Sequence, residues 1–164
     1  MIIGLFEPQI PQNTGNIARS CAVTGSKLLL FGDLGFSLSD RQMKRAGLDY
    51  WDSVCLGHEA DMMRFLEDET RPFFFFSSNA EQSYWDVSYT PDSLLIFGAE
   101  THGLPSACFE KWPERCVRIP MLAGQRCLNL ASSVAVGLYE AIRQVDKGAT
   151  CEPAQSQSYS SCSS

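Results

Sequence analysis

The sequence lacks the features that mark membrane, secreted and metal-binding proteins. No apolar run approaches the roughly 20 residues that are needed to cross a bilayer. The first residues, MIIGLFE, lack the positive charge of a signal peptide. With His58 and His102 as the only two histidines, a histidine-rich metal site is not expected, and no metal is assigned. No internal repeat or second domain is evident. These absences predict a soluble, cytoplasmic protein of one domain.

Cysteine pairs and excess positive charge are also missing. The seven cysteines are an odd number, and no two of them form a Cys-x-x-Cys pair. Their scatter through apolar segments suits buried thiols in a reducing compartment better than disulfides or zinc ligands. Lys and Arg number 13 against 19 Asp and Glu, which gives a net charge of −6. An acidic balance disfavours indiscriminate binding to nucleic acid or membranes but leaves room for a local basic patch.

Short apolar runs alternate with helical patterns along the chain. The runs lie at residues 2–6, 28–31, 54–56, 73–76, 94–97 and 117–119. Most are continuous, which is typical of strands that are buried on both faces of a parallel sheet. Helices are predicted at residues 14–24, 39–47, about 59–67 and 128–145. The sequence therefore predicts an α/β fold, a mostly parallel sheet with helices on both faces.

The clearest helical pattern is the last one. Its apolar residues recur at spacings of three and four, and they are Leu128, Ala131, Ala135, Leu138, Ile142 and Val145. Small residues interrupt this helix and would let another backbone approach closely. Packing on the sheet and a homodimer interface both explain that pattern. Residues 149–164 are rich in Ser and Cys without hydrophobic periodicity, so we predict a domain at 1–148 followed by a disordered tail.

Two segments that follow predicted strands could carry chemistry. The first, PQNTGNIAR at residues 11–19, opens a helix, where free backbone N–H groups can bind an anion. A capped helix with a solvated Arg19 is the simpler explanation. The second, IFGAETHGLP at residues 96–105, has glycines that permit close approach to a ligand, but not the G-x-G-x-x-G spacing. Within it, His102 is either a catalytic base or an exposed loop histidine.

A third segment and a basic cluster complete the candidates. Residues 118–130, RIPMLAGQRCLNL, form a strand–loop–helix junction in which Asn129 could cap the helix. An ordinary connection explains this junction as well. Arg41, Lys44 and Arg45 are spaced to share one face of a short helix, which is either a solvated face or a contact for phosphates.

Taken in order, these segments resemble the SPOUT class of S-adenosylmethionine-dependent RNA methyltransferases. Within it they are most similar to the single-domain tRNA 2′-O-ribose methyltransferases of the TrmL (YibK-like) group of the TrmH family. The resemblance covers about residues 1–145. It rests on Glu7-Pro8 with NTGNIAR at 13–19, FGAETHGLP at 97–105, RIPM at 118–121 with LNL at 128–130, and RAGLDY at 45–50. It implies a C-terminal trefoil knot, an obligate homodimer, and S-adenosylmethionine as the cofactor, with S-adenosylhomocysteine as product.

The resemblance also implies roles for individual residues, which are carried over by motif position. The cofactor pocket would be lined by Phe76, Gly98, Glu100, Gly103, Ile119, Met121, Cys127, Leu128 and Asn129. Arg19 would hold the phosphate beside the target ribose and stabilise developing charge on the 2′-oxygen, because a guanidinium is a poor base. Asn13 would orient Arg19 or the loop. RNA contacts are assigned to Arg41, Lys44, Arg45 and Arg126.

The implied activity is methylation of a ribose 2′-hydroxyl in tRNA, at a cytidine or modified uridine in the wobble position of leucine tRNAs. Ribosomal RNA is an alternative substrate. Members that act on it often carry an extra N-terminal RNA-binding domain, and its absence here favours tRNA. A second alternative is a non-catalytic RNA- or nucleotide-binding module. The presence of Arg19 and of the loop from Gly98 to Gly103 argues against that alternative.

Overall fold

A computed structural model describes residues 1–36, 54, 56–122 and 124–146. The strands are β1 (Ile2–Phe6), β2 (Lys27–Phe31), β3 (Leu56–Glu59), β4 (Phe73–Phe76), β5 (Gln82–Ser83), β6 (Leu94–Phe97) and β7 (Cys116–Arg118). The helices are α1 (Pro11–Thr24), α2 (Met62–Glu67), α3 (Ser106–Lys111) and α4 (Leu130–Val145), and a short 3₁₀ helix spans Pro113–Arg115. Strands and helices thus interleave along the described chain, as its apolar pattern predicts, although no helix separates β4, β5 and β6.

These strands form one sheet in the order β3-β2-β1-β6-β4-β7-β5. Each pairing between them is parallel, for example Ile3 beside Leu95 and Phe75 beside Ile96. The predicted α/β architecture is therefore confirmed. Because the strands are parallel, their carboxyl ends all meet at one edge of the sheet, where ligands bind in open α/β folds.

Helices cover both faces of the sheet, as predicted. On one face α1 and α4 bury Ile17, Val134 and Leu138 in a core cluster with β1, β2 and β6. On the other face the shorter α2 and α3 contribute Met62 and Cys108 to a second cluster. The residues described include no helix that is long and apolar enough to cross a membrane.

Several element boundaries differ from the predictions. The third strand was predicted at residues 54–56 but is formed by Leu56–Glu59 at the edge of the sheet. Val54, the first residue of the predicted run, is buried but lies outside the strand, so its apolar side chain indicates burial and not strand pairing. Helix α1 begins at Pro11, a residue that suits a first helical turn, and α4 begins at Leu130. The predicted helix at 39–47 and the predicted tail at 149–164 lie outside the described residues.

The expectation of buried thiols is correct for three of the cysteines that the structure describes and wrong for the fourth. Cys21, Cys108 and Cys116 are buried, whereas Cys127 is exposed in the loop before α4. Burial raises the pKa of the Cys21 thiol to about 12 and that of Cys108 to about 11. Both thiols therefore stay protonated near neutral pH and are poor nucleophiles.

Candidate active site

A cavity of about 510 Å³ opens at the carboxyl ends of β4, β6 and β7. Its walls are the loop after β6, the segment after β4, the connection from β7 to α4, and the start of α1. These segments meet because their strands are parallel neighbours in the sheet. The volume falls within the range of pockets that bind small molecules.

The loop after β6 is held in a tight turn. Backbone groups of Ala99 and Gly103 bond to each other in both directions, at 3.1 and 2.9 Å. Gly98 lies against this bridge, and a Cβ atom there would be 2.3 Å from the carbonyl carbon of Gly103. Only glycine fits at position 98. The turn therefore presents Glu100, Thr101 and His102 at the cavity.

The Glu100 carboxylate fastens this loop to the start of α1. Its Oε2 accepts a hydrogen bond from the backbone N–H of Gln9 at 2.9 Å, and its Oε1 accepts one from Ile10 at 3.2 Å. The Asn13 side-chain amide also donates to Oε1, at 2.9 Å. Ile10 has no side chain that could cap α1, so Glu100 supplies the acceptor from a different motif. A carboxylate there also suits the positive end of the helix dipole.

Asn13 extends this network to the third motif. It is buried, and its Oδ1 accepts a hydrogen bond from Nδ2 of Asn129 at 2.9 Å. The Oδ1 of Asn129 in turn accepts from the backbone N–H groups of Ala131 and Ser132, at 2.9 and 3.4 Å. Asn129 therefore caps α4, as predicted. One chain of hydrogen bonds, Glu100–Asn13–Asn129, joins the three motifs that the sequence singles out.

Stacked aromatic rings form an apolar wall of the cavity. The Phe76 and Phe97 rings lie nearly parallel with centroids 4.5 Å apart, and both line the cavity. Gly137 of α4 passes directly behind them. A Cβ atom at position 137 would be 2.8 Å from the Phe76 ring, so the close approach of α4 sets the position of that wall.

His102 lies at the rim with both ring nitrogens engaged. Its Nε2 is 3.2 Å from a Glu7 carboxylate oxygen, and its Nδ1 is 3.1 Å from the Thr101 hydroxyl, which donates to Gln9 Oε1 at 2.7 Å. Glu7 has a positive φ of 44°, which is uncommon for a residue other than glycine. The imidazole is 49 % exposed. Both ring nitrogens contact side chains of this loop and of Glu7, and this geometry favours a loop histidine.

The cavity gathers most of the residues that were predicted for it. All nine predicted cofactor residues line it, and so does Asn13. Arg19 does not. It is exposed on α1, six residues and about 9 Å along the helix axis from Asn13. Arg126 is exposed in the loop before α4 and is not part of the lining. Arg41, Lys44 and Arg45 lie outside the described residues.

Sequence reasoning missed two parts of the lining. Ser77, Ser78 and Asn79 continue from β4 into the cavity wall. The rule that ligands gather at carboxyl ends of parallel strands could have included them. Ser133 also lines the cavity, one helical turn after Asn129. The spacing of four residues from Asn129 was the available signal for it.

The sequence is similar to a family of RNA methylases and to individual tRNA methyltransferases. A profile of the SpoU rRNA Methylase family matches residues 1–139. The tRNA (cytidine(34)-2'-O)-methyltransferase of Escherichia coli K12 is 41% identical over 145 residues, which cover 87% of this chain and 92% of that protein. A protein of the same name from Yersinia pestis is 43% identical over 150 residues, covering 87% of this chain and 93% of its own length.

Solved structures agree with these relatives. One, determined to study the 2-OH methylation of C/U34 on tRNA, has a TM-score of 0.81 and 41% identity, and the match covers 87% of this chain and 94% of that one. The SpoU methyltransferase AviRb from Streptomyces viridochromogenes, in complex with AdoMet, has a TM-score of 0.76 and 25% identity over 88% of this chain and 60% of its own. The resemblance drawn from the three motifs is thus confirmed, and the chain belongs to the SpoU methylase family.

Proposed function

We propose that this protein transfers a methyl group from S-adenosylmethionine to the ribose 2′-hydroxyl of nucleotide 34 in tRNA, a cytidine or modified uridine. Leucine tRNAs are the expected substrates. The observation that carries the proposal is the cavity whose three motif loops are joined through Glu100, Asn13 and Asn129. The names of the relatives supply the nucleotide and the class of RNA.

The cavity fits S-adenosylmethionine in size and chemistry. Its walls combine the Phe76–Phe97 aromatic pair with apolar side chains and with the backbone of the Gly98–Gly103 turn. Such a mixture suits a ligand with a flat base, a ribose and a charged amino-acid part. The residues that would hold it are Phe76, Gly98, Glu100, Gly103, Ile119, Met121, Cys127, Leu128 and Asn129. When bound, this cofactor supplies an electrophilic methyl group on a sulfonium.

The protein would contribute alignment and charge. Glu100 already accepts three hydrogen bonds, so we assign it to hold the loops together rather than to remove a proton. Asn13 connects the cofactor loop to α1 and orients both. A guanidinium is a poor base and a good phosphate donor, so the role of Arg19 is to hold a substrate phosphate and stabilise negative charge on the 2′-oxygen, with a phosphate oxygen as proton acceptor.

A homodimer would explain the position of Arg19. Arg19 shares the exposed side of α1 with Val23, and Val23 and Tyr139 of α4 border a groove between the two helices. Val136 and Tyr139 are likewise exposed on α4. We assign this apolar surface to contact with a second copy. Arg19 of each copy would then serve the cavity of the other, because it lies outside the cavity of its own chain.

We further propose that the domain comprises residues 1–148 and that its C-terminal part forms a trefoil knot. The likeness to solved methyltransferase structures supports the knot.

Residues 149–164 would not be needed for folding or cofactor binding. Deleting them should leave S-adenosylmethionine affinity unchanged in calorimetry, and a truncated protein that no longer binds would contradict this boundary.

Four basic residues are the proposed contacts to the RNA backbone, namely Arg41, Lys44, Arg45 and Arg126.

The direct test is transfer of a labelled methyl group to bulk tRNA that lacks the modification, with Arg19→Ala in parallel. Label at one wobble ribose that is lost in the variant would support reaction, substrate and residue together. Label on ribosomal RNA alone would favour the alternative substrate. Cofactor binding without transfer to either RNA would favour a non-catalytic binding module.

Mixed dimers test whether Arg19 acts across the subunit contact. Arg19→Ala keeps an intact cavity, whereas Cys127→Trp would fill the cavity from an exposed loop position and keep Arg19. Each variant alone should be inactive. Co-refolding them should restore about a quarter of the activity if Arg19 acts on the partner's cavity, because half of the dimers then hold one complete site. No recovery in verified mixed dimers would place Arg19 in its own site.

A further inference from the structure

Trp85 is a large, exposed aromatic side chain that lines neither the cavity nor the groove between α1 and α4. It follows β5, the last strand at one side of the sheet, and 51 % of it is exposed. Val23 and Tyr139 line the groove between α1 and α4, but Trp85 is not among the residues that line that groove. Its exposure therefore needs a separate explanation.

The Trp85 ring ends a run of aromatic side chains that starts in the cavity wall. Phe76 lines the cavity, and its ring centroid is 6.2 Å from that of Tyr84. The Tyr84 and Trp85 centroids are 5.1 Å apart. Tyr84 thus packs against the indole of Trp85, and the three aromatic side chains lead from the cavity to the surface.

The backbone around Trp85 is fixed. The Tyr84 N–H donates to the carbonyl of Arg118 in β7 at 2.9 Å, and the Tyr84 carbonyl accepts from the Tyr89 hydroxyl at 2.5 Å. The Asp86 N–H donates to the carbonyl of Ser83 at 3.0 Å. The peptide groups on both sides of Trp85 are therefore hydrogen-bonded, so the backbone that carries the indole is already ordered and little backbone entropy is lost on binding.

We propose that Trp85 is a stacking platform for a nucleobase of the RNA that neighbours the methylated nucleotide. The inference rests on the proposed function. The 2′-hydroxyl of a loop nucleotide reaches the cavity only when its base leaves the stack. The adjacent base then loses a stacking partner, which an indole face can replace. Arg118, exposed at the end of β7, is the nearby cation for the phosphates. The exposed carboxylate of Asp86, the next residue, would repel an RNA phosphate. We therefore assign the contact at Trp85 to a base and not to the RNA backbone.

The test compares Trp85→Ala, Trp85→Phe and the control Ser88→Ala, which removes a small exposed side chain from the same segment. Trp85→Ala should raise the KM for tRNA about tenfold with kcat and S-adenosylmethionine affinity unchanged, since stacking on one base is of that order. Trp85→Phe should restore most of the affinity, and Ser88→Ala should behave as the unsubstituted protein. Tryptophan fluorescence should fall when an anticodon stem-loop is added, and this quenching should be lost in Trp85→Phe.

Three results would overturn the inference. Equal tRNA KM values for Trp85→Ala and the unsubstituted protein would show that no base stacks there. A change of oligomeric state in Trp85→Ala, measured by sedimentation, would assign the indole to a protein contact instead. Absence of any tRNA binding by the unsubstituted protein would overturn the proposed function together with this inference, so the two failures are distinguishable.

Discussion

At the amino ends of the strands, backbone hydrogen bonds join neighbouring segments, whereas the three motif loops around the cavity are joined to one another through side chains. At the amino ends, the N–H of Ile2 donates to Ser93, that of Lys27 to Met1, and that of Leu94 to Pro72. At the cavity, Glu100, Asn13 and Asn129 link segments that are up to 116 residues apart in sequence.

This difference identifies the parts of the molecule that depend on particular side chains. Backbone pairing at the amino ends tolerates most residues, because every residue except proline carries the same donor and acceptor. The cavity loops depend on a few carboxylate and amide groups with no equivalent replacement. Substitutions should therefore separate folding from ligand binding according to the end of the sheet at which they lie.

The largest effect should come from Gly98→Ala. The added Cβ would meet the Gly103 backbone at 2.3 Å, which the turn cannot relieve by moving a side chain. We expect a loss of about 3 kcal/mol or more in the free energy of unfolding and no measurable S-adenosylmethionine binding. Urea unfolding and calorimetry would measure both.

Gly25→Ala is the matched control at the amino end. Gly25 has a positive φ of 65°, and a Cβ there would enter open space. It should cost about 1 kcal/mol through backbone strain alone and leave cofactor affinity intact. Similar losses of cofactor binding in both variants would contradict the contrast between the two ends.

The next effect should come from Glu100→Gln. The amide keeps one acceptor oxygen but places an NH₂ group against backbone N–H donors of Gln9 or Ile10. We expect a loss of about 2 kcal/mol in stability and roughly tenfold weaker cofactor binding, because hydrogen bonds to a charged group are among the stronger ones. Ser93→Ala, which removes the acceptor of the Thr90 N–H at the amino end, should cost about 1 kcal/mol and leave binding unchanged.

A smaller effect that depends on pH is expected at Glu69, just before β4. Hydrogen bonds from Arg71 hold the pKa of the buried Glu69 carboxyl below its usual value. Such a group adds stability above its unfolded pKa, and that stability is lost as the pH falls through the lower folded pKa. Glu69→Gln should therefore lower stability by about 1 kcal/mol at pH 7 and by progressively less below about pH 4. Urea unfolding at several pH values tests this, and a difference that is constant down to pH 2 would refute it.

The smallest effect should come from Thr14→Val in α1. The Thr14 hydroxyl is the buried side-chain oxygen that lacks a hydrogen-bond partner among the residues described. Removing it at similar volume should leave stability unchanged or raise it by up to about 1 kcal/mol. Thr24→Val, at the other end of the same helix, removes a hydroxyl that donates to Ser20 and should instead destabilise. Thermal unfolding that showed Thr14→Val to be the worse of the two would reveal a partner for this hydroxyl.

The central strands could be predicted from the sequence, and the edge strands could not. Phe73–Phe76 and Leu94–Phe97 were predicted at their observed bounds, because strands buried on both faces leave continuous apolar runs. Gln82–Ser83 is a two-residue strand at the edge and carries no such signal.

The candidate site was predictable in its loops but not in its contacts. Motif order and the edge rule for parallel strands brought residues from all three loops into one cavity. That Glu100 would cap a helix 90 residues earlier in the chain could not be inferred, since such capping depends on tertiary geometry. The sequence allowed a solvated Arg19, but its position outside the cavity that Asn13 lines emerges only from the structure.

Asn129 is both the cap of α4 and the end of the hydrogen-bond chain that borders the cavity. Occupancy of the cavity and order in the first turn of α4 are therefore thermodynamically linked. A molecule that holds Asn129 in place would stabilise the first turn of α4. A surface that packs on α4 would in turn raise the affinity of the cavity for its ligand. By linkage, the two effects would have the same size in either direction, so this one amide side chain would couple the proposed ligand binding to the proposed packing of a second copy on α4.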